Sequence, residues 1–161
     1  MSNQRKVERC WKTKAGLWGC VILTDMGHRC GYVGVSDSHA LYGVDYSQEV
    51  DCLNFPGDEP VGKRGIIPLL AGSRRTPDVV FDVHGGLTFS GPIGDVETAP
   101  KSLWFFGFDC AHHGDAPEPG YSNHSIFSGG VVRSLDYVVG ECESLAAQLV
   151  TRIRNTDTTE R

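Results

Sequence analysis

The run Trp104-Phe105-Phe106-Gly107-Phe108 constrains the fold more than any other stretch of this chain. It is apolar at consecutive positions. In an extended strand neighbouring side chains point to opposite faces, so both faces of this one must be covered. Ser102 to Asp109 is therefore predicted to be an interior strand with packing on either side. A second long signal lies nearer the C-terminus, where Leu135, Val138, Val139, Cys142, Leu145, Leu149 and Ile153 recur at spacings of three and four, the period of one helix face. Ser134 and Asp136 suit the start of that helix, and Arg152 and Arg154 its end. Gly16 to Thr24 and Arg29 to Val35 read as two strands joined at Asp25-Met26-Gly27-His28, a hairpin. Asp78 to Val83 reads as a further strand, broken by Gly85-Gly86, and Leu87 to Ser90 resumes an extended path. The fold expected is α+β: a mainly antiparallel β-sheet with one long C-terminal α-helix packed on it.

The chain has 161 residues, enough for one domain with a core that needs no staples. We expect a single domain over 1–161, with 1–14 and 155–161 as loose ends. Residues 54–78 read as a long Gly/Pro-rich excursion with an extended piece at Ile66 to Leu70. The formal charge of −5 argues against a partner of duplex nucleic acid, which normally meets a basic face. It leaves room for a small anionic ligand held by local cations and backbone N–H groups. The six cysteines (Cys10, Cys20, Cys30, Cys52, Cys110 and Cys142) include no Cys-x-x-Cys pair, and they read as reduced thiols of a cytosolic protein. The N-terminus is polar through Lys14, unlike a secretory signal, and no apolar run approaches the ~20 residues of a membrane span.

Two segments concentrate groups capable of chemistry. The first is Asp82-Val83-His84-Gly85-Gly86-Leu87-Thr88-Phe89-Ser90, and the second runs from Trp104 through Asp109-Cys110-Ala111-His112-His113-Gly114-Asp115. If the first is a strand, Asp82 and His84 share a face. Gly85 and Gly86 would let the backbone approach an anion, and Thr88 would add a hydroxyl. His84, Asp109, His112 and Asp115 could ligate a divalent metal. Alternatively, His84 and His112 serve metal-free acid–base catalysis, with Asp82 and Asp109 orienting the imidazoles. The competing reading is a polar network that braces a loop. Tyr32 and Trp104 are candidates to stack on a base, and Arg74 to clamp a phosphate. Cys110 beside His112 invites a nucleophile, but adjacent Asp109 disfavours a thiolate, so a buried structural cysteine is the better reading.

The runs CGYVGV (Cys30 to Val35), DVHGGLTFS (Asp82 to Ser90), Trp104 to Asp115, and ECESLAAQL (Glu141 to Leu149) together resemble a family of small phage-encoded proteins, found in actinobacterial phages in particular. The resemblance covers about half the chain, and its two His-bearing segments are the most specific part. The family pattern has Ala where this chain has His113, which favours His112 as the site residue. The stretch from Asn54 to Pro77 has no counterpart in it. A phage origin implies an accessory protein acting in the host cell cytoplasm, where such proteins counter defence. The expectation is a hydrolase that cleaves a phosphodiester in a small cyclic nucleotide, plausibly a host immune signal. The alternatives are a non-catalytic sponge for such a signal and a protein-binding inhibitor of a host defence factor. A homo-oligomer that completes the pocket would be compatible with each.

Overall fold

The computed structural model describes residues 5–55, 74–94, 96, 99–121 and 130–154. Five strands form one antiparallel sheet: β1 (Lys6–Lys12), β2 (Trp18–Leu23), β3 (Arg29–Val35), β4 (Phe89–Gly91) and β5 (Trp104–Asp109), in the spatial order β1-β2-β3-β5-β4. A short parallel pair, β6 (Asp115–Ala116) with β7 (Val131–Val132), leads into the helix. One helical turn, α1 (Pro77–Val80), precedes β4, and the long helix α2 spans Leu135–Thr151. Among the described residues no helix is long and apolar enough to cross a membrane.

Side-chain alternation divides the core into two layers. Val21, Val33, Phe106 and Phe108 face α2, where they meet Val138, Cys142, Leu145 and Leu149. The opposite face carries Cys20, Ile22 and Phe105, covered by Val96, Ala99 and Leu103. β5 has β3 on one side and β4 on the other, so the aromatic run is an interior strand buried on both faces. Its rings fit because glycines stand opposite aromatic residues in the ladder. Trp11 faces Gly19, Phe108 faces Gly31, Phe105 faces Gly34, and Tyr32 faces Gly107. Each ring lies where a Cβ on its partner would project; at Gly107 that Cβ would sit 2.5 Å from the Tyr32 ring.

The hairpin β2–β3 and the helix lie where the sequence places them, with Ser134 capping α2 through its side chain (Tyr137 N–H donates to Oγ, 3.1 Å). Two assignments need correction. Residues 1–14 are not wholly a loose end: Lys6–Lys12 is the edge strand β1. A bulge between Val7 and Arg9 breaks its two-residue period, and its exposed Lys6, Arg9 and Lys12 suit an edge that must not recruit another strand. The stretch from Asp78 to Val83 is not a strand either. Thr76 is extended at the N-cap and Pro77 occupies the first helical turn, where its missing N–H costs nothing, so Pro77–Val80 coils. Of the excursion at 54–78, residues 56–73, with the expected extended piece at Ile66 to Leu70, lie outside the described residues, as do 155–161.

The packing of rings over glycines is open to measurement. Gly107→Ala is expected to destabilise the fold by about 1–3 kcal/mol through overpacking. Gly140→Ala, on an exposed helix turn with nothing within 4 Å, is expected to stabilise it by about 0.5–1 kcal/mol. Urea midpoints of the two variants should therefore move in opposite directions.

Candidate functional site

Where β5 ends, the chain turns through 110–114 and enters β6 with Asp115, whose side chain is only 1 % exposed. Three donors from three segments converge on this carboxylate. His84 Nε2 lies 2.9 Å from Oδ2 and 3.1 Å from Oδ1. Arg133 Nε donates to Oδ1 at 2.8 Å, and the His112 backbone N–H donates to Oδ2 at 3.1 Å. Burial by itself pushes the Asp115 carboxyl up. The bonds from Arg133, His84 and the His112 amide outweigh it and hold the group below the ordinary carboxylate range.

His84 is fixed from every side. Its backbone N–H donates to Glu141 Oε1 (2.8 Å), and Nδ1 lies 2.9 Å from the Tyr137 hydroxyl. Tyr137 meets the imidazole edge to face at 5.5 Å between centroids, and the Arg133 guanidinium lies 5.2 Å from the Tyr137 ring centroid. Arg133 is itself anchored: its carbonyl accepts from Arg29 Nη1, and buried Arg29 also binds Glu8 and Glu118. The residue before the α2 cap is thus tied to the sheet through Arg29, beside the apolar contacts of Leu135 and Val138.

The second imidazole stands beside the first, with the His84 and His112 ring centroids 6.2 Å apart. His112 Nε2 is 3.1 Å from Asp109 Oδ1, within ion-pair range but off the line of a hydrogen bond, and this buried nitrogen has no hydrogen-bond partner. Gly85, at φ +72°, packs directly on it; a Cβ there would collide with the imidazole. Asp109 is oriented by the Thr88 hydroxyl and the Ala111 N–H, both at 3.1 Å. Each imidazole therefore has its own carboxylate, Asp115 for His84 and Asp109 for His112.

The structure brings His84, Gly85, Thr88, Asp109, His112 and Asp115 together, and it leaves other candidates elsewhere. Asp82 is exposed, and its backbone is bonded to Gln148, two helical turns beyond Glu141. The shared face expected for Asp82 and His84 does not exist, because the strand it assumed is absent. Gly86 spends its N–H on Val83 O. Tyr32 packs edge-on against Phe89 on the sheet face away from α2. Trp104 is at the opposite end of six-residue β5 from Asp109, about 16 Å away, donating to Val44 O. Arg74 is exposed, and no hydrogen bond among the described residues joins it to the histidines. Burial pushes the Cys110 thiol up to about 12, assisted by Asp115, so it is no thiolate nucleophile.

Among the described residues no group of three or more His, Cys, Asp or Glu side chains is arranged to hold a metal. His84 Nε2 and Asp115 are engaged with one another, so the four expected ligands do not form a shell. Sequence reasoning missed Tyr137 and Arg133, and it read Glu141, which could reach the sheet, as a solvated helix residue. The signal was present: Ser134, Tyr137 and Glu141 recur at spacings of three and four beside the apolar stripe, a polar row on a helix otherwise read for its core. No protein-family model matches the chain, and comparison with curated proteins and with solved structures finds no match.

The depressed Asp115 carboxyl has a consequence in acid. Its ionised form contributes stability above the unfolded-state pKa of about 3.9, and that contribution is lost as pH falls through the lower folded value. Unfolding midpoints of the wild type, followed from neutral pH into the carboxylate range, are expected to drop more steeply than those of Asp115→Asn. At neutral pH the variant should already be weaker by about 1–3 kcal/mol. Equal slopes would remove Asp115 as a source of acid sensitivity.

Proposed function

We propose that the chain is a hydrolase that cleaves a phosphodiester in a small nucleotide, with His84 and His112 as its acid–base pair. The observation that carries this reading is the pair itself: two imidazoles 6.2 Å apart, each beside its own carboxylate. Cleaving a phosphodiester requires a proton to leave the attacking oxygen and another to reach the departing one, on opposite sides of phosphorus. Two imidazoles are suited to that exchange near neutral pH, and two carboxylates stabilise whichever imidazolium forms. Arg133 supplies a fixed positive charge beside them. The carboxylates and imidazoles pair with each other instead of converging on a common centre.

The substrate class rests on the phage resemblance: a cyclic oligonucleotide that serves as a host immune signal, met in the host cytoplasm. A sponge for the same nucleotide would be expected to line its pocket with stacking rings. Tyr32 and Trp104 stand away from the histidines, and the ring that is beside them, Tyr137, is edge-on to His84 with its hydroxyl bonded there, which favours turnover over storage.

The test is incubation of the pure protein with a panel of cyclic di- and trinucleotides, followed by denaturation and chromatography. New products are expected. They should persist with chelator present and be lost in His84→Ala and His112→Ala. Gly85→Ala, whose Cβ would displace the His112 ring, is expected to lower turnover at least tenfold while the protein remains folded by circular dichroism. Nucleotide that is retained and released intact by heat would replace this reading with the sponge. Nucleotide left free and unaltered would turn attention to a protein partner.

A further inference from the structure

The start of α2 places a carboxylate, an imidazole and a hydroxyl in line. Asp115 is ionised and can only accept hydrogen bonds. Both its oxygens lie within 3.1 Å of His84 Nε2, so Nε2 carries the proton. In the neutral ring Nδ1 is then a lone pair, and the Tyr137 hydroxyl, 2.9 Å away, donates to it. With the ring neutral, the chain Asp115–His84–Tyr137 runs from an accepting carboxylate to a donating hydroxyl. A buried carboxylate that orients an imidazole, which in turn accepts from a hydroxyl, is the arrangement that activates a nucleophile.

We propose that Tyr137 is the nucleophile, and that cleavage passes through a phosphodiester formed on its phenolic oxygen. This proposal rests on the hydrolase reading above and names the group that attacks. Three observations separate it from a merely structural hydrogen bond. Tyr137 is 37 % exposed, although the imidazole it touches is largely buried, so its oxygen can meet a substrate. The Arg133 guanidinium lies over its ring and favours a forming phenolate, against burial and Glu141, which on balance hold the phenol above its ordinary range. Both nitrogens of His84 are engaged, one with Asp115 and the other with Tyr137, so the base reaches a substrate through the phenol.

The steps balance. The Tyr137 oxygen bonds to phosphorus as its proton passes to His84 Nδ1, and the imidazolium so formed faces Asp115. The bond from phosphorus to the departing oxygen breaks, and that oxygen takes a proton from His112. In the second step water attacks phosphorus and gives a proton to His112. The Tyr137–phosphorus bond then breaks, and the phenolic oxygen recovers its proton from His84. A phenol, with a pKa of about 10, leaves far more readily than an alkanol, so the intermediate can turn over.

Bis(p-nitrophenyl) phosphate is the probe, because p-nitrophenol departs without an acid. The full-length protein is mixed with it, p-nitrophenol release is followed, and acid-quenched samples are analysed by intact mass and peptide mapping. The expected result is a mass gain of one p-nitrophenyl phosphoryl group, mapped to Tyr137. His112→Gln should accumulate this adduct, since it spares the first step with this leaving group and slows the second. Tyr137→Phe should lose the adduct and at least a hundredfold in turnover while keeping its melting temperature within a few degrees. Turnover undiminished in Tyr137→Phe, or an adduct on another residue, would overturn the proposal and leave the hydrolase reading standing. Absence of both adduct and product from the probe and from every nucleotide would overturn both. An adduct on Tyr137 that never hydrolyses would support the nucleophile and count against the hydrolase.

Discussion

The sheet is built on a steric exchange between strands: where one carries an aromatic ring, its neighbour carries glycine. Trp11 with Gly19, Phe108 with Gly31, Phe105 with Gly34, and Tyr32 with Gly107 are such exchanges between paired residues. A ring that lies over a missing Cβ stays close to its own sheet instead of standing away from it. That is what allows an aromatic strand to be interior, with α2 on one face and Ile93, Val96, Ala99 and Leu103 on the other. Four of the twenty glycines are thus a packing requirement of the sheet. The same exchange limits what the sheet tolerates, since a methyl group at those glycines has no space to enter.

Because β5 is held on both edges and both faces, its end is a fixed point in space. Cys110 continues the pairing by one bond, its N–H to Arg29 O, and the chain then turns. Asp115 arrives buried, and a buried carboxylate is costly unless several donors meet it. Those donors are drawn from the His84 loop, the residue before the α2 cap, and the turn itself. Satisfying one charge therefore joins the His84 loop, 31 residues before Asp115, to Arg133, 18 residues after it. The buried Arg29, bonded to Glu8, Glu118 and the Arg133 carbonyl, extends that network back to the edge strand. The site is where the fold's polar debts are concentrated, and its geometry follows from settling them.

This explains which features were legible in the sequence. β2, β3, β5 and α2 bury long apolar faces, and hydrophobic period reports such faces directly. β1 is an edge strand with a bulge and charged outer residues, so its period is interrupted and its composition resembles that of a tail. Pro77–Val80 carries strand-favouring valines, but the proline after an extended Thr76 decides for a helical turn. In the site, His84, Asp109, His112 and Asp115 stood out by residue type and clustering. Their pairing did not, because local alternation placed Asp82 beside His84, whereas the partner of His84 is 31 residues away. Tyr137 was hidden for a related reason: a polar residue flanking an apolar helical stripe looks solvated until the opposing loop is known.

The two histidines are chemically distinct despite their proximity. His84 is 14 % exposed with both nitrogens committed, so it is held in one tautomer and one orientation. Such an imidazole can pass a proton along a fixed line but has little freedom to follow a moving substrate. His112 is 37 % exposed, and its buried nitrogen lacks a hydrogen bond although Asp109 stands 3.1 Å away. An unsatisfied buried polar atom costs about 1–3 kcal/mol, and sites of function are where such costs persist. His84 thus has both ring nitrogens engaged, whereas His112 leaves its buried nitrogen without a hydrogen bond. The proposed division of roles, His84 as base and His112 as proton carrier, rests on that asymmetry.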